Sequence, residues 1–156
     1  MKDFVKKWHK IVEDRDELAL DELLHEDVVM YSPVVFTPQK GKKITTQYLK
    51  AALEVLVAPE AQFKYTSETI DSHKCVLEFE AVIDGITING IDMIEINSDG
   101  KIINFKVMVR PLQGMNILHK KMGELLKKMI RDKANSEFKN FTKAPFKFLK
   151  EKMKGK

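Results

Sequence analysis

Two Asp-Gly pairs divide residues 75–109 into three runs in which apolar and polar side chains alternate. The pairs are Asp84-Gly85 and Asp99-Gly100, and Asp-Gly is a preferred sequence for a tight hairpin turn. Alternation with a period of two indicates a strand that buries one of its faces. In the first run, the apolar face carries Leu77, Phe79, Ala81 and Ile83. This part of the chain is therefore predicted to fold as the last three strands of a four-stranded antiparallel meander.

The residues before these three strands predict three helices and two more strands, and the second of those two strands begins the meander. Helices are indicated wherever apolar residues recur at helical spacing, and Asp16 is a suitable N-cap for the second helix. The helices are predicted over residues 2–13, 18–24 and 44–57, and the strands over residues 28–32, 63–67, 75–83, 86–96 and 102–109. In the third helix, one side carries Ile44, Tyr48, Ala52 and Val55. Helices followed by a meander predict an α+β fold in which one face of the sheet covers the helices.

The net charge of +4 is divided unevenly along the chain. Residues 1–113 carry 14 Lys/Arg and 19 Asp/Glu, whereas residues 114–156 carry 13 Lys/Arg and four Asp/Glu, which gives about −5 and +9. Within the basic segment, a helical seam is formed by Met115, Leu118, Met122, Leu125 and Met129. We therefore predict a body over residues 1–113 and a basic, amphipathic helical extension over residues 114–156.

The role of this extension is open at the level of sequence. Phenylalanines from Phe138 to Phe148 are interspersed with lysines, a composition that suits a helix lying on an anionic membrane surface. A helix docked on the body or on a second subunit, with a solvated basic face, explains the same pattern. The absence of a recognised reading motif argues against nucleic acid as the partner.

Composition argues against several classes of protein. The single cysteine, Cys75, excludes an internal disulfide framework and fits a reducing compartment. The N-terminal residues lack the apolar run of a signal peptide, and no apolar stretch approaches the roughly 20 residues that span a bilayer. Fingerprints of phosphate and cofactor binding are missing from the sequence. We therefore expect a cytoplasmic protein that uses no cofactor.

A metal site is not expected. The adjacent residues His25, Glu26 and Asp27 cannot all face one point on regular structure, and no second cluster accompanies them. A solvated turn at the end of the second helix accounts for all three.

Asp92 is the first candidate for a functional residue. It interrupts an apolar, alternating strand, so its carboxyl group is expected to point into a core or a pocket, where it must be paired, protonated or used. In an apolar cavity the pKa of Asp92 would rise, and the group could serve as an acid, a base or a hydrogen-bond donor. Alternatively, Asp92 caps a bulge or pairs with a nearby donor.

The order of the elements resembles the nuclear transport factor 2-like superfamily. Three loop signatures add to the likeness: Ser32-Pro33 after the first strand, Gly41 before the third helix, and Gly90 with Asp92 before the last hairpin. The resemblance covers residues 2–112 and is strongest for the SnoaL-like branch, which includes steroid Δ-isomerases. It implies a cone, in which a strongly curved antiparallel sheet wraps round the N-terminal helices and leaves a pocket at the wide end. It also implies a homodimer formed through the outer face of the sheet.

The steroid isomerases allow a comparison residue by residue. They use a tyrosine on the first helix, an aspartate base before a proline, and a protonated aspartic acid on a late strand. Trp8 falls at the position of the tyrosine, Ser32 at that of the base, and Asp92 at that of the protonated acid. A serine hydroxyl cannot act as the base that a carboxylate provides, and an indole N–H is a donor only. The resemblance thus retains Asp92 alone as the proton-handling, catalytic residue, for an isomerase-like or polyketide-cyclase-like reaction.

The remaining site candidates would form the walls of the pocket. We predict that they bind a small hydrophobic molecule and include Trp8, Tyr31, Ser32, Tyr48, Phe79 and Phe105. The aromatic residues also fit an ordinary core, and a serine before a proline also fits a loop-shaping role. The alternative function is a non-catalytic interaction module whose basic extension docks on a partner protein or on an anionic membrane.

Overall fold

One mixed sheet and four α-helices make up the described part of the chain. A computed structural model describes the backbone of residues 1–153 and the side chains of residues 1–134. The helices are α1 (Lys2–Asp14), α2 (Glu17–Leu23), α3 (Lys42–Leu56) and α4 (Leu112–Met153), and the strands are β1 (Leu24–Tyr31), β2 (Gln39–Lys40), β3 (Lys64–Ile70), β4 (Lys74–Ile83), β5 (Ile86–Ile96) and β6 (Ile102–Arg110). The predicted α+β class is confirmed, and the sheet is curved and open.

The strands lie in the order β2-β1-β6-β5-β4-β3. The predicted meander is present, because β3 to β6 pair in sequence and antiparallel. The sheet is nevertheless mixed rather than purely antiparallel, since β1 runs parallel to β6. A parallel pair needs a long connection, and here the chain between β1 and β6 contains α3 and the other strands of the meander.

The first two helices form as predicted. α1 buries its regularly spaced apolar residues, Phe4, Val5, Trp8, Ile11 and Val12. Asp16 caps α2, because its Oδ1 accepts the N–H groups of Leu18 at 3.1 Å and Ala19 at 3.0 Å. The cap satisfies backbone donors that have no partner inside the helix.

α3 turns a different side to the core from the one that its apolar residues indicated. Its buried residues are Thr45, Thr46, Leu49, Ala51, Leu53 and Leu56, whereas Ile44 is exposed. Because threonine is polar, the sequence alone does not indicate that these positions face the core. The hydroxyl of Thr46 is satisfied there, because it donates to Asp21 Oδ1 of α2 at 2.8 Å. A contact between two helices thus permits a polar residue on the buried side of α3.

β1 begins earlier than predicted and takes in His25, Glu26 and Asp27, which therefore do not form a turn after α2. The pairing of β1 with β6 shifts register between Leu24 and Val29, so this segment leaves the regular ladder. The segment before α3 holds the short strand β2, which was not predicted. Among the described residues, no group of three or more His, Cys, Asp or Glu side chains is placed to hold a metal ion.

The chain divides into two compact units, Met1–Met122 and Gly123–Lys156. The first unit contains the whole sheet and the start of α4, where Leu118 and Met122 are buried. Leu118 and Met122 lie within the segment 114–156 that was predicted as an extension, and the second unit is formed by the part of that segment after Met122. The side chains of the phenylalanine-rich stretch from Phe138 to Phe148 lie outside the described residues. No helix in the described part of the chain combines the length and the apolar character needed to cross a membrane.

Candidate functional site

A cavity lies inside the first unit, between the inner face of the sheet and the helices. The cavity and the open solvent at its mouth together contain about 660 Å³ of space free of protein atoms. Polar side-chain atoms reach its wall from Trp8, Ser32, Tyr65 and Asp92 alone among the described lining residues. The apolar lining includes Val12, Leu20, Met30, Leu49, Leu53, Leu56, Phe63, Phe79, Phe105, Val107, Leu118 and Met122. The cavity is therefore almost entirely apolar, and three of its four polar residues share one network of hydrogen bonds.

Three of the polar residues form a directed chain of hydrogen bonds. The indole Nε1 of Trp8 donates to the hydroxyl oxygen of Tyr65 at 2.8 Å. The hydroxyl of Tyr65 donates in turn to Oδ2 of Asp92 at 3.0 Å. Because an indole N–H can only donate, the direction of the first bond is fixed, and the tyrosine proton remains for Asp92. The chain joins α1, β3 and β5 and ends on the carboxyl group.

Asp92 occupies an inward position in the middle of β5. Its neighbours across the sheet are Leu77 on β4 and Val107 on β6. Asp92 is only 8% exposed, whereas the next residue, Met93, faces outward. Burial raises the pKa of Asp92 from 3.8 to about 7, and the hydrogen bond from Tyr65 acts in the opposite direction. A carboxyl group with this pKa can both give and take a proton near neutral pH.

Tyr65 is a central residue of the site that the sequence analysis did not identify. Burial raises its pKa well above 10.0, and the nearby charge of Asp92 adds to this effect, so the hydroxyl stays protonated. The His9 ring stacks on the Tyr65 ring, with 4.6 Å between centroids and 10° between the planes. His9 Nε2 lies 3.2 Å from Glu68 Oε1. Packing on the ring and two hydrogen bonds on the hydroxyl thus hold Tyr65 in place.

Five of the seven predicted site residues come together at the cavity. They are Trp8, Ser32, Phe79, Asp92 and Phe105. The ring centroids of Trp8 and Phe105 are 5.3 Å apart, so these two form one aromatic wall. Ser32 also has the loop-shaping contact that was considered for it, because its Oγ accepts the N–H of Val34 at 3.3 Å.

The structure does not bring Tyr31 and Tyr48 to this cavity. On β1, the inward position belongs to Met30, so the alternation of the strand turns Tyr31 to the outer face. There Lys106 Nζ lies 5.0 Å from the centre of the Tyr31 ring. Tyr48 is half-buried against the core and lies off the buried side of α3, so it does not reach the cavity lining among the described residues.

Fold and site together define the class, an α+β protein of the nuclear transport factor 2-like type with an acidic group in an apolar cavity. The chain belongs to the SnoaL-like domain family, which matches residues 5–105. The predicted membership of this superfamily is confirmed. No curated protein matches the chain.

Solved structures agree with this assignment. A steroid delta-isomerase from Pseudomonas aeruginosa is 33% identical, with a TM-score of 0.76 over 83% of this chain and 93% of that protein. An uncharacterised bacterial protein with a cystatin-like fold, from Silicibacter pomeroyi, is 23% identical, with a TM-score of 0.72 over 90% and 93% of the two chains. An NTF2-like protein of unknown function from Mesorhizobium loti is 18% identical, with a TM-score of 0.62 over 70% of this chain and 90% of that protein. The last two show a shared fold alone.

Proposed function

We propose that the cavity binds a small hydrophobic molecule and that Asp92 exchanges a proton with it. The observation that carries this proposal is the position of Asp92, at the end of the chain from Trp8 through Tyr65 and in an otherwise apolar cavity. Apolar walls with a few convergent polar groups and a carboxyl group of raised pKa are typical of small-molecule sites.

The chemistry that fits best is an isomerisation by proton transfer. The carboxylate of Asp92 would take a proton from a carbon next to a carbonyl group, and it would return that proton to another carbon of the resulting enolate. A steroid delta-isomerase is 33% identical to this chain, which supports this class of reaction. Ser32 has no carboxylate to offer, so one residue, Asp92, would perform both halves of the transfer.

A β,γ-unsaturated ketosteroid tests this proposal, because its conversion to the conjugated enone is visible by ultraviolet absorbance. We expect turnover by the native protein and a rate lower by about 10² to 10⁴ in Asp92→Asn, the range that a positioned acid–base group contributes. Asp99→Asn makes the same change at an exposed position and should leave the rate unaltered. Equal rates for Asp92→Asn and the native protein would exclude Asp92 as the proton-handling residue. Binding of the steroid without turnover would restrict the function to binding.

We also propose that the chain forms a homodimer through the outer face of the sheet. Met93 on β5 and Met108 on β6 are exposed there on adjacent strands. Exposed apolar groups on a sheet face favour association. Sedimentation equilibrium should give the mass of two chains for the native protein and of one chain for Met108→Lys. Leu18→Lys, which changes an exposed leucine on α2, should remain dimeric. A native mass of one chain would contradict the dimer.

The alternative function, docking by the basic extension, is supported by the +9 charge of residues 114–156. Such a segment would bind anionic vesicles more strongly than neutral ones, and salt would weaken the binding. Co-sedimentation with phosphatidylserine-containing vesicles measures this directly, with phosphatidylcholine vesicles as the control. Equal binding to both kinds of vesicle, or to neither, would remove membrane docking as a function.

A further inference from the structure

The chain of hydrogen bonds in the cavity uses two of its side-chain donors, and among the described lining residues only the Ser32 hydroxyl donor lies outside it. The N–H of Trp8 is used by Tyr65, and the O–H of Tyr65 is used by Asp92. Both donors therefore serve the protein's own chain of hydrogen bonds, which ends on a carboxyl group. The group at the end of these hydrogen bonds, the carboxyl group of Asp92, is an acceptor that a ligand can contact.

Asp92 has no counter-ion among the side chains that the structure describes. Among the described residues, no Lys, Arg or His side chain lines the cavity, and Asp92 takes part in none of the ion pairs. Its titratable neighbours Tyr65 and Cys75 are both neutral acids, since burial raises the pKa of Tyr65 well above its usual value and that of Cys75 to about 11. Buried charges are ordinarily paired, so an ionised Asp92 calls for a cation from outside the protein.

Aromatic rings surround the same space. Phe63 lies between Tyr65 and Phe79, with ring centroids 5.1 Å and 5.4 Å away, and Trp8 lies against Phe105. All five rings line the cavity. The faces of aromatic rings attract organic cations, and this attraction is strongest where water is excluded. Aromatic walls around an unpaired carboxylate match an ammonium group carried on an apolar body.

We propose that the cavity selects lipophilic amines, with the ammonium group paired to Asp92 and the apolar body packed against the aromatic walls. The proposal rests on the proposed function in one respect, namely that small molecules enter the cavity. It adds the charge of the preferred ligand. A neutral ligand of the same shape leaves the carboxylate unpaired, and an anionic ligand places a second negative charge beside it.

Two probes of the same shape test this selectivity on the full chain. They are 2-naphthylmethylamine and 2-naphthylmethanol, and calorimetric titration at about pH 8 measures the affinity of each, where an alkylammonium is still protonated. We expect the native protein to bind the amine at least about tenfold more tightly than the alcohol, because a close pair of buried charges is gained. Asp92→Asn should abolish this preference, whereas Asp99→Asn, an exposed control, should retain it.

A pH series on the native protein gives a second readout. The amine should lose its advantage over the alcohol as the pH falls below about 7, where Asp92 becomes protonated. His9 Nε2 lies 3.2 Å from Glu68 Oε1 beside the Tyr65 ring, and the same series in Asp92→Asn controls for pH effects that arise outside Asp92.

The outcomes separate this inference from the function on which it rests. Equal affinity of the native protein for amine and alcohol overturns the selectivity but leaves small-molecule binding in place. A preference that survives in Asp92→Asn also overturns it, since the ammonium group then lies elsewhere. Binding of neither probe overturns both proposals.

Discussion

Replacing Asp92 with asparagine should stabilise the protein above pH 7 and change its stability little near pH 4. Asparagine has the same shape, and its carbonyl oxygen can still accept the hydrogen bond from Tyr65, but it carries no charge to be buried. In the unfolded chain, Asp92 ionises with a pKa near 3.8, whereas burial raises the pKa in the folded protein to about 7. At a pH between these two pKa values, Asp92 is protonated in the folded protein and ionised in the unfolded chain.

The sign of the effect follows from this difference in bound protons. Where the folded state binds more protons than the unfolded state, the free energy of unfolding falls as the pH rises. The native protein therefore loses stability between about pH 4 and pH 7, and the full loss persists above pH 7. A difference of one between the folded and the unfolded pKa corresponds to about 1.36 kcal/mol, so the expected loss in the free energy of unfolding is about 4 kcal/mol.

Urea unfolding from pH 4 to pH 9 measures this effect as the difference between the native protein and Asp92→Asn. The difference should be small at pH 4, grow until about pH 7 and then remain constant. Asp99→Asn removes an exposed carboxylate from the turn that follows β5 and should show no comparable pH dependence. A difference between native protein and Asp92→Asn that is the same at every pH would contradict a buried, ionisable Asp92.

The parts of the fold that depend on local sequence could be predicted, and those that depend on distant contacts could not. Two Asp-Gly turns and a period of two are enough to define β4 to β6, because hairpin pairing follows from neighbouring residues. The parallel contact between β1 and β6 joins the last strand of the meander to a strand far before it in the sequence, so no local pattern indicates it. The buried side of α3 likewise depends on Asp21, a residue of another helix.

The candidate site divides in the same way. Asp92 stands out in the sequence because a carboxyl group at an inward strand position breaks the apolar pattern. Tyr65 does not stand out, since a tyrosine in a strand is ordinary and its partners Trp8 and Asp92 are 57 and 27 residues away. Tyr31 has the same local appearance and yet faces outward. In a short apolar run such as that of β1, the sequence does not indicate which of two neighbours points inward.

A single methyl group at Gly90 should be nearly as costly as the burial of the Asp92 charge. A Cβ atom at this position would lie 2.4 Å from Cζ of Phe79 and 2.8 Å from the carbonyl oxygen of Met108. The ring is fully buried and the carbonyl belongs to the neighbouring strand, so neither contact is relieved without moving the core. We expect Gly90→Ala to lower the free energy of unfolding by about 3 kcal/mol, the upper part of the usual cost of overpacking.

Two further variants test whether the steric contacts of the added methyl group cause the loss of stability in Gly90→Ala. Gly123→Ala adds the same methyl group to α4 where no atom lies within 4 Å, and it should stabilise the protein by up to about 1 kcal/mol through helix propensity. Phe79→Leu removes the end of the ring, so in the Gly90→Ala background it should cost less than it does alone. The contact with the Met108 carbonyl would remain, and recovery should therefore be partial. Strictly additive effects of the two substitutions would show that Phe79 and Gly90 do not compete for space.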